Sequence, residues 1–446
     1  MARAEDPVRA RKEAVGVVRT LREAGHVAYF AGGCVRDELL GQHPTDFDVA
    51  TDATPDRLRA LFRRTHAVGA AFGVMLVHQN GVSIEVATFR AEGPYTDKRR
   101  PDAIRFASAE EDARRRDFTI NALFLDPVAQ PGEDQHARLG VRVEGRVIDL
   151  VGGVSDLRAG IVRAVGDADA RLSEDHLRAL RAVRFASRFG FAIDPSTAEA
   201  VRRHARELQG ISRERIGEEL KRMLGHSNRA AAARALTALG LDEPALRTPR
   251  SAGSPDDCPR VAAVPPEPPY APYPAALAAW ALDRVAGPHR ALPILTEDEI
   301  AAVSKAWRAS LCLSNFDRDG LVAILQTHAQ IMRDWIALAA AKRRRLAARQ
   351  AFRPALALVA CDDPERSARA RTDLLGMGVN PDDPPPVPLV TGDDLIAGGF
   401  RPGPHFKGIL DALYDAQLED RIKDRAEGLD LAKREYWINR PPRNKA

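Results

Sequence analysis

Asp46 and Asp48, separated by one residue in the stretch Thr45-Asp46-Phe47-Asp48-Val49-Ala50, are a pair whose type and spacing could do chemistry. The alternation of polar and apolar residues predicts a strand with one wet face. In a strand, side chains at i and i+2 point the same way, so both carboxylates can converge on one site. Two such oxygens suit a hard cation like Mg²⁺, which keeps several waters and takes phosphate oxygens as further ligands. Upstream, Gly32-Gly33 stands between the apolar run Val27 to Ala31, read as a buried strand, and a helix predicted from Val35 to Leu40. Glycine lets backbone approach a phosphate closely, and the N-terminus of a helix offers N–H groups to it. Glu85 falls on the second strand of a hairpin predicted over 73–78 and 82–89, turned by Gln79-Asn80-Gly81, and is in place to be a third carboxylate. Each piece alone is commonplace: an Asp-x-Asp pair is usually a solvated strand edge, and Gly-Gly is usually a turn.

Their order carries more. A strand, Gly-Gly, a helix and then Asp-x-Asp on the next strand resembles the layout of the polymerase-beta-like nucleotidyltransferase head. Gly32 to Gly41 (GGCVRDELLG) followed by Asp46 to Thr51 (DFDVAT) resembles the first motif of class II tRNA nucleotidyltransferases and bacterial poly(A) polymerases. Arg115 to Ala122 (RRDFTINA) is similar to their second motif, and Glu174 to Phe185 (EDHLRALRAVRF) to their nucleotide-reading helix. Arg215 to Leu220 (RIGEEL) is similar to the motif that closes the neck. The four blocks stand in family order over residues 27–225, and the tail GDDLIAGGFRPGP is also similar to family tails.

The resemblance implies a metal-dependent enzyme that adds CCA to the 3′ end of tRNA, with CTP and ATP as donors and pyrophosphate released. Asp46, Asp48 and Glu85 would be catalytic, and Asp46 and Asp48 would hold Mg²⁺. Gly32, Gly33 and Arg36 of the first motif would bind nucleotide; Arg116 and Asp117 would hold its ribose and triphosphate, with Asn121 as a further triphosphate contact. Arg181 is assigned to nucleotide binding, and Arg184 is divided between a substrate and a structural role. An A-adding enzyme and a poly(A) polymerase share these motifs. A catalytically silent RNA-binding protein on the same fold is the remote alternative, against which stands the carboxylate pair: without a metal, two converging acids repel each other and the RNA backbone.

On a helix predicted over 173–190, Asp175 and Arg178 stand at i and i+3, on one face. A carboxylate accepts from an exocyclic amine, and a guanidinium donates to a ring nitrogen or carbonyl. The pair could therefore read the Watson–Crick edges of cytosine and adenine, each an amine beside a ring acceptor. Outside this set of motifs it would be a surface ion pair of little energetic weight. Residues 92–105 occupy the place of the family's flexible loop, which the resemblance associates with the final adenosine step.

These motifs require a positioning frame, and the rest of the chain supplies an α+β one. An amphipathic helix is predicted over 6–24, and Thr54-Pro55 reads as the cap and first turn of another. The expected organisation is a mixed-sheet nucleotidyltransferase head over 1–148, an all-helical nucleotide-reading neck over 149–226, a helical body over 227–385 and a helical tRNA-binding tail over 386–446. Residues 243–274, rich in proline, read as a flexible loop within the body. Helices are predicted near 213–225, 275–288, 297–310, 318–340, 341–351, 405–418 and 420–438, with Thr391 as a cap. The 66 basic and 62 acidic residues leave a net charge of only +4, a balance that does not by itself mark a nucleic-acid binder.

Cys34, Cys258, Cys312 and Cys361 form no CxxC pair, and the eleven histidines show no metal-ligand spacing. Cys34, although inside the first motif, is given no catalytic role. No run of about 18 apolar residues and no signal-peptide pattern is present, so no membrane partner and a cytoplasmic setting are expected. No phosphohydrolase module is recognisable in the C-terminal half. The sequence leaves oligomeric state open.

Overall fold

In a computed structural model of the chain, the described residues are 6–69, 73–92, 104–130, 143–254, 256–265, 272–286 and 292–436. Contacts divide the chain into two compact units: Met1–Met223 with Ala231–Thr248, and Leu224–Ala230 with Pro249–Ala446. The four-part division expected from sequence is finer than this.

The first unit opens with α1 (Pro7–Glu23), capped by Asp6, whose side chain accepts from the Val8 N–H; it buries Ala14, Val17, Val18 and Leu21. Among the described residues a seven-stranded sheet follows, built from β1 (Ala28–Ala31), β2 (Val49–Thr51), β3 (Thr65–Gly69), β4 (Val74–Gln79), β5 (Val82–Thr88), β8 (Phe124–Asp126) and β9 (Arg146–Ile148). Its order is β3-β4-β5-β2-β1-β8-β9. β1 runs antiparallel to both β2 and β8, while β2 pairs in parallel with β5. The β4–β5 hairpin turns through Asn80 and Gly81, both at positive φ (49° and 84°), as a two-residue turn of this hand requires. Along β5, Val82, Ile84, Val86 and Thr88 are buried, which leaves Ser83 and Glu85 on the open face.

The strand expected over 45–50 begins only at Val49, so Asp46, Phe47 and Asp48 lie on the approach to β2. The alternation nevertheless holds: Phe47 is buried against Phe30 at 5.2 Å between ring centroids, and the two acids are exposed on either side of it. A hydrogen bond from Ala31 N–H to the Asp48 carbonyl (3.0 Å) carries the β1–β2 pairing beyond the strand.

Helices α2 (Gly33–Leu39) and α3 (Pro55–Leu61) connect the strands, the latter capped by Thr54, which accepts from Arg57 N–H. A separate hairpin pairs β6 (Arg90–Glu92) with β7 (Ile104–Phe106). The loop assigned to 92–105 thus lies mostly outside the described residues. α4 (Ala109–Arg114) carries a reciprocal capping box between Ser108 and Glu111, and a 3₁₀ turn at Thr119–Asn121 leads into β8. Ala31, Ala50, Phe89, Ala113, Ala122, Phe124 and Val165 form a core cluster beneath these elements.

Beyond the sheet come α5 (Gly153–Ala159), α6 (Ala168–Glu174), α7 (Leu177–Phe189), α8 (Pro195–Arg203) and α9 (Arg213–Leu224). The region expected to be all helical also contains a short parallel pair, β10 (Ile161–Val162) with β11 (Ala192–Ile193). The single helix expected over 173–190 is two. α6 ends at Glu174, Asp175 is extended at φ −146° and ψ 103°, and α7 starts at Leu177. The Asp175 side chain accepts from Leu177 N–H (3.0 Å), a local bond that competes with helix continuation.

The proline-rich stretch expected to be a loop contains a helix at Asp242–Leu246, another at Pro259–Ala263 and the start of a third at Pro272–Val285. Apolar content overrides proline there: Ala275 to Leu282 are all buried, and prolines at helix starts cost no hydrogen bond. The second unit is otherwise helical over Glu297–Leu311, Asn315–Asp334, Ala340–Ala347, Phe352–Asp362, Pro364–Gly376, Gly392–Ala397, His405–Leu418 and Arg425–Tyr436. Thr391 caps its helix through a box with Asp394, and Val390, Leu395, Phe400, Ile409, Leu413 and Ala432 pack together there. No helix among the described residues is long and apolar enough to cross a membrane.

The turn bearing Asn121 depends on Gly153 at the start of α5, where an added Cβ would stand 2.2 Å from the Thr119 carbonyl oxygen. Since backbone cannot yield cheaply, Gly153→Ala should destabilise the fold by about 1–3 kcal/mol. Urea unfolding monitored by circular dichroism should show a lower midpoint, and an unchanged midpoint would refute this packing.

Candidate active site

A cleft of about 1190 Å³ in the first unit collects every residue singled out from sequence: Gly32, Gly33, Arg36, Asp46, Asp48, Glu85, Arg116, Asp117, Asn121, Asp175, Arg178, Arg181 and Arg184. It also takes in Arg90, Arg115, Phe185, Arg188, Arg215 and Arg222, to which the sequence reading gave no separate role.

One side is acidic. The parallel β2–β5 register sets Val49 opposite Val86, so one residue earlier Asp48 stands beside Glu85. Asp48 keeps contact with solvent, yet the protein packed around it withdraws it partly from water; this, then the neighbouring Glu85 charge, pushes it up from 3.8 to about 6, while Asp46 adds to the rise and Arg116 opposes it. A carboxylate whose ionisation is opposed by burial and by two acidic neighbours is a fitting donor to a divalent cation, whose charge removes that opposition. Their oxygens suit a hard ion. Cys34, close by, is unsuited to chemistry: burial first, and Asp48 next, push its thiol up to about 12.

Further side chains around the cleft are tied together by ion pairs. Asp112 accepts from Arg115 Nε (2.8 Å) and from Arg116 Nε and Nη2 (3.2 and 3.1 Å). Burial raises Asp112, but Arg116 and Arg115 outweigh it and hold the carboxyl below its ordinary range. The Arg116 Nη1 donates to the Asn121 carbonyl (3.0 Å), and the guanidinium lies 5.1 Å from the Phe124 ring centroid. Gly32 makes room for it. At φ 74°, a Cβ there would sit 2.8 Å from Arg116 Nη1, so the glycine serves an arginine as well as any phosphate.

Asp117 is buried and accepts from Phe118 N–H (2.8 Å), Asn121 Nδ2 (3.1 Å) and Arg181 Nε (2.7 Å). Burial raises its pKa, yet Arg181 and Asn121 bring it below the ordinary value, and Asp117 in turn raises Arg181. Asn121 Oδ1 accepts from Arg36, which is stacked 4.6 Å from the Phe189 ring centroid. Arg184 donates to the buried Glu219 (2.6 Å) and lies over Phe185, a set of contacts that weights its divided role toward structure.

Asp175 and Arg178 both face the cleft although the helix breaks between them. Asp175 is gripped by Arg215 Nη2 (2.6 Å) and Nη1 (3.3 Å), which fixes its carboxylate plane. Arg178 Nη1 is anchored on the Arg171 carbonyl and Glu174. Both side chains of the Asp175–Arg178 pair are thus preset by neighbours. Asp112 and Arg215 hold candidate site residues in place; the sequence reading gave Asp112 no role and named Arg215 only within the RIGEEL motif. Asp112 was open to detection, since it precedes Arg115 and Arg116 by three and four residues on a helical spacing.

A family model described as "Poly A polymerase head domain" matches residues 28–163, and one described as "Probable RNA and SrmB- binding site of polymerase A" matches residues 190–248. The chain is 41% identical over 232 residues to the CCA-adding enzyme of Geobacillus stearothermophilus, covering 52% of this chain and 54% of that one. It is 44% identical over 209 residues to the CCA-adding enzyme of Levilactobacillus brevis, covering 47% and 49%. The chain thus spans about half the length of the curated relatives it matches. The crystal structure of Bacillus stearothermophilus CCA-adding enzyme in complex with CTP aligns over 96% of this chain and 99% of that one, at 30% identity and a TM-score of 0.63. A Thermotoga maritima CCA-adding enzyme complexed with tRNA_CCA shares the fold at 18% identity and a TM-score of 0.61, over 97% of each chain.

The raised Asp48 has a signed consequence. Ionising it costs the folded state, so its contribution to stability falls as pH rises from 3.8 to about 6. Without divalent ions, Asp48→Asn should therefore raise the melting temperature at pH 8 and leave it unchanged at pH 3.5, and Mg²⁺ should narrow the difference. Calorimetry at the two pH values checks this; a difference independent of pH would contradict the electrostatic account.

Proposed function

This chain belongs to the family of the CCA-adding enzymes, and on that premise we propose that it adds cytidine, cytidine and adenosine to the 3′ end of tRNA, taking CTP and ATP as donors. One observation carries the reading: a single cleft holds both the three carboxylates and the Asp175–Arg178 pair.

Asp46 and Asp48, with Glu85 beside them, would hold a divalent cation, which the hardness of the donors makes Mg²⁺. Bound there, it would favour ionisation of the RNA 3′-hydroxyl and offset charge on the phosphates. The hydroxyl oxygen forms a bond to the α-phosphorus in line with the bond to the β-phosphate oxygen, which breaks and releases pyrophosphate. Arg116, steered by Asp112, and the Asn121–Asp117–Arg181 chain form the wall against which ribose and triphosphate are set. Preset donors need no reorganisation at the moment of transfer, which is where their catalytic worth lies.

Asp175 accepts from the exocyclic amine of cytosine or adenine while Arg178 donates to the adjoining ring acceptor, so side chains replace a template strand. Guanine and uracil present the wrong pattern and would leave one of these groups unsatisfied. Phosphate and shape contacts of the helical regions, divided as neck, body and tail, would hold the tRNA acceptor end without reading its sequence.

Purified protein given tRNA lacking CCA, or ending in CC, with each nucleotide in turn should extend the first by CCA and the second by A. Extension of the CC-ended substrate alone would make it an A-adding enzyme, and long A tails would make it a poly(A) polymerase. Asp46→Ala and Asp48→Ala should each abolish addition while tRNA binding in a filter assay stays within about twofold; near-normal turnover by either would remove the metal assignment. Arg178→Ala should lower discrimination against GTP and UTP by about tenfold, corresponding to the 1–3 kcal/mol a matched polar contact commands. Unchanged selectivity would count against base reading by α7.

A further inference from the structure

Away from the carboxylates of the cleft, two histidines 28 positions apart in sequence come together. His176, His204 and Glu207 each offer one ligand atom, and these atoms lie within 4.8 Å of one another. His176 directly follows Asp175 and is buried. His204 closes α8, and its ring is stacked on that of His176 at 5.6 Å and 26°. Glu207 belongs to the 3₁₀ turn Ala205–Gly210. No sequence spacing announces this group, because α8 and the α6–α7 elbow are brought together only by the fold.

The surroundings of His204 point to a cation. Its Nε2 faces Asp169 Oδ1 at 3.2 Å, and its Nδ1 faces Glu207 Oε2 at 3.2 Å. A neutral imidazole has one N–H and so can satisfy only one of two carboxylates. Asp169 is fixed by Arg203, which donates from Nε (3.1 Å) and Nη2 (2.6 Å). It is therefore the anchored acceptor for Nε2–H, which leaves a lone pair on Nδ1; no hydrogen bond reaches that nitrogen, although Glu207 Oε2 lies 3.2 Å away. A cation placed beside both atoms would give each a partner. A carboxylate behind a ligating imidazole is the usual device for fixing its tautomer and raising its basicity. Two imidazole nitrogens and one carboxylate oxygen are also a borderline donor set suited to Zn²⁺, unlike the all-oxygen set of Asp46, Asp48 and Glu85.

We propose that His176, His204 and Glu207 form a second metal site, for a divalent transition ion of the Zn²⁺ class, with Asp169 as the outer partner of His204. Three protein ligands leave one tetrahedral position to water. The ion ties the end of α8 and its 3₁₀ turn to the elbow whose preceding residue, Asp175, faces the cleft. Its role is to hold that elbow, and no step of nucleotidyl transfer passes through it.

Co²⁺ reports such a site by its visible absorption. The full chain, titrated with Co²⁺ in excess Mg²⁺ to occupy the hard carboxylates, should develop one saturable tetrahedral-type band per chain that Zn²⁺ displaces. His204→Gln and Glu207→Gln should weaken binding at least ~10-fold, and Asp169→Asn roughly 10-fold, the range for loss of an outer carboxylate. The paired change Asp46→Asn and Asp48→Asn should leave the band unaltered. Because His176 is buried and its replacement could unfold the chain, the test rests on the partly exposed His204 and Glu207. Zn²⁺ should also raise the melting temperature of the parent and not of His204→Gln. Absence of a stoichiometric band, or an equal band in His204→Gln, would overturn the proposal.

Discussion

The Asp117 carboxylate, buried between the 3₁₀ turn and α7, accepts at once from a backbone N–H, from Asn121 and from Arg181. An isolated buried anion would be expensive, and only dense donation makes it tolerable. Because those donors come from different elements, satisfying one charge fixes the geometry of many. Through Asn121 the constraint reaches Arg36 in the first motif; through Arg181 it reaches the α7 face that also carries Arg178 and Arg184. Breaking a buried pair of this kind typically costs about 3–5 kcal/mol, because the partner is left charged and unsatisfied. The wall of the cleft is therefore held as a unit.

Within the same unit the same residue type also behaves in the opposite sense. Asp112 and Asp117 are held below their ordinary range by arginines, while Asp48 is pushed up to about 6 by withdrawal from water and by its acidic neighbours. Environments that drive like groups apart assign them different work. The depressed carboxylates are permanently ionised fixtures that orient guanidinium groups. The raised one stays poorly compensated until a cation arrives, which is the condition a metal site should meet. Strain of this electrostatic kind is tolerable because β1, β2 and β5 hold Asp48 and Glu85 by backbone pairing rather than by side-chain contacts.

Much of this was legible in the sequence because period and punctuation are local. The β4–β5 hairpin followed from Asn80-Gly81, α1 from its apolar spacing, and the caps at Thr54 and Thr391 from their residue types. The candidate site residues other than Glu85 could be named because each sits in a contiguous motif, and Glu85 followed from its place on the hairpin strand. What escaped notice was set by competing or long-range interactions. Asp175 breaks its helix because its own side chain captures the Leu177 N–H, and helical periodicity continues across the break regardless. The steric demand on Gly32 comes from Arg116, 84 positions later. The helices inside the proline-rich stretch are sustained by burial, which composition alone does not register. The pairing of His176 with His204 depends on how α8 folds back.

A double-mutant cycle on Asp117 and Arg181, read through the binding of CTP, tests most directly whether the nucleotide wall acts as one unit. If it does, Asp117→Asn and Arg181→Ala should each weaken CTP binding, and the double variant should be little worse than the weaker single one, with a coupling of about 0.5–3 kcal/mol. Losses that simply add would mean that the two residues meet the nucleotide independently, and would contradict the account.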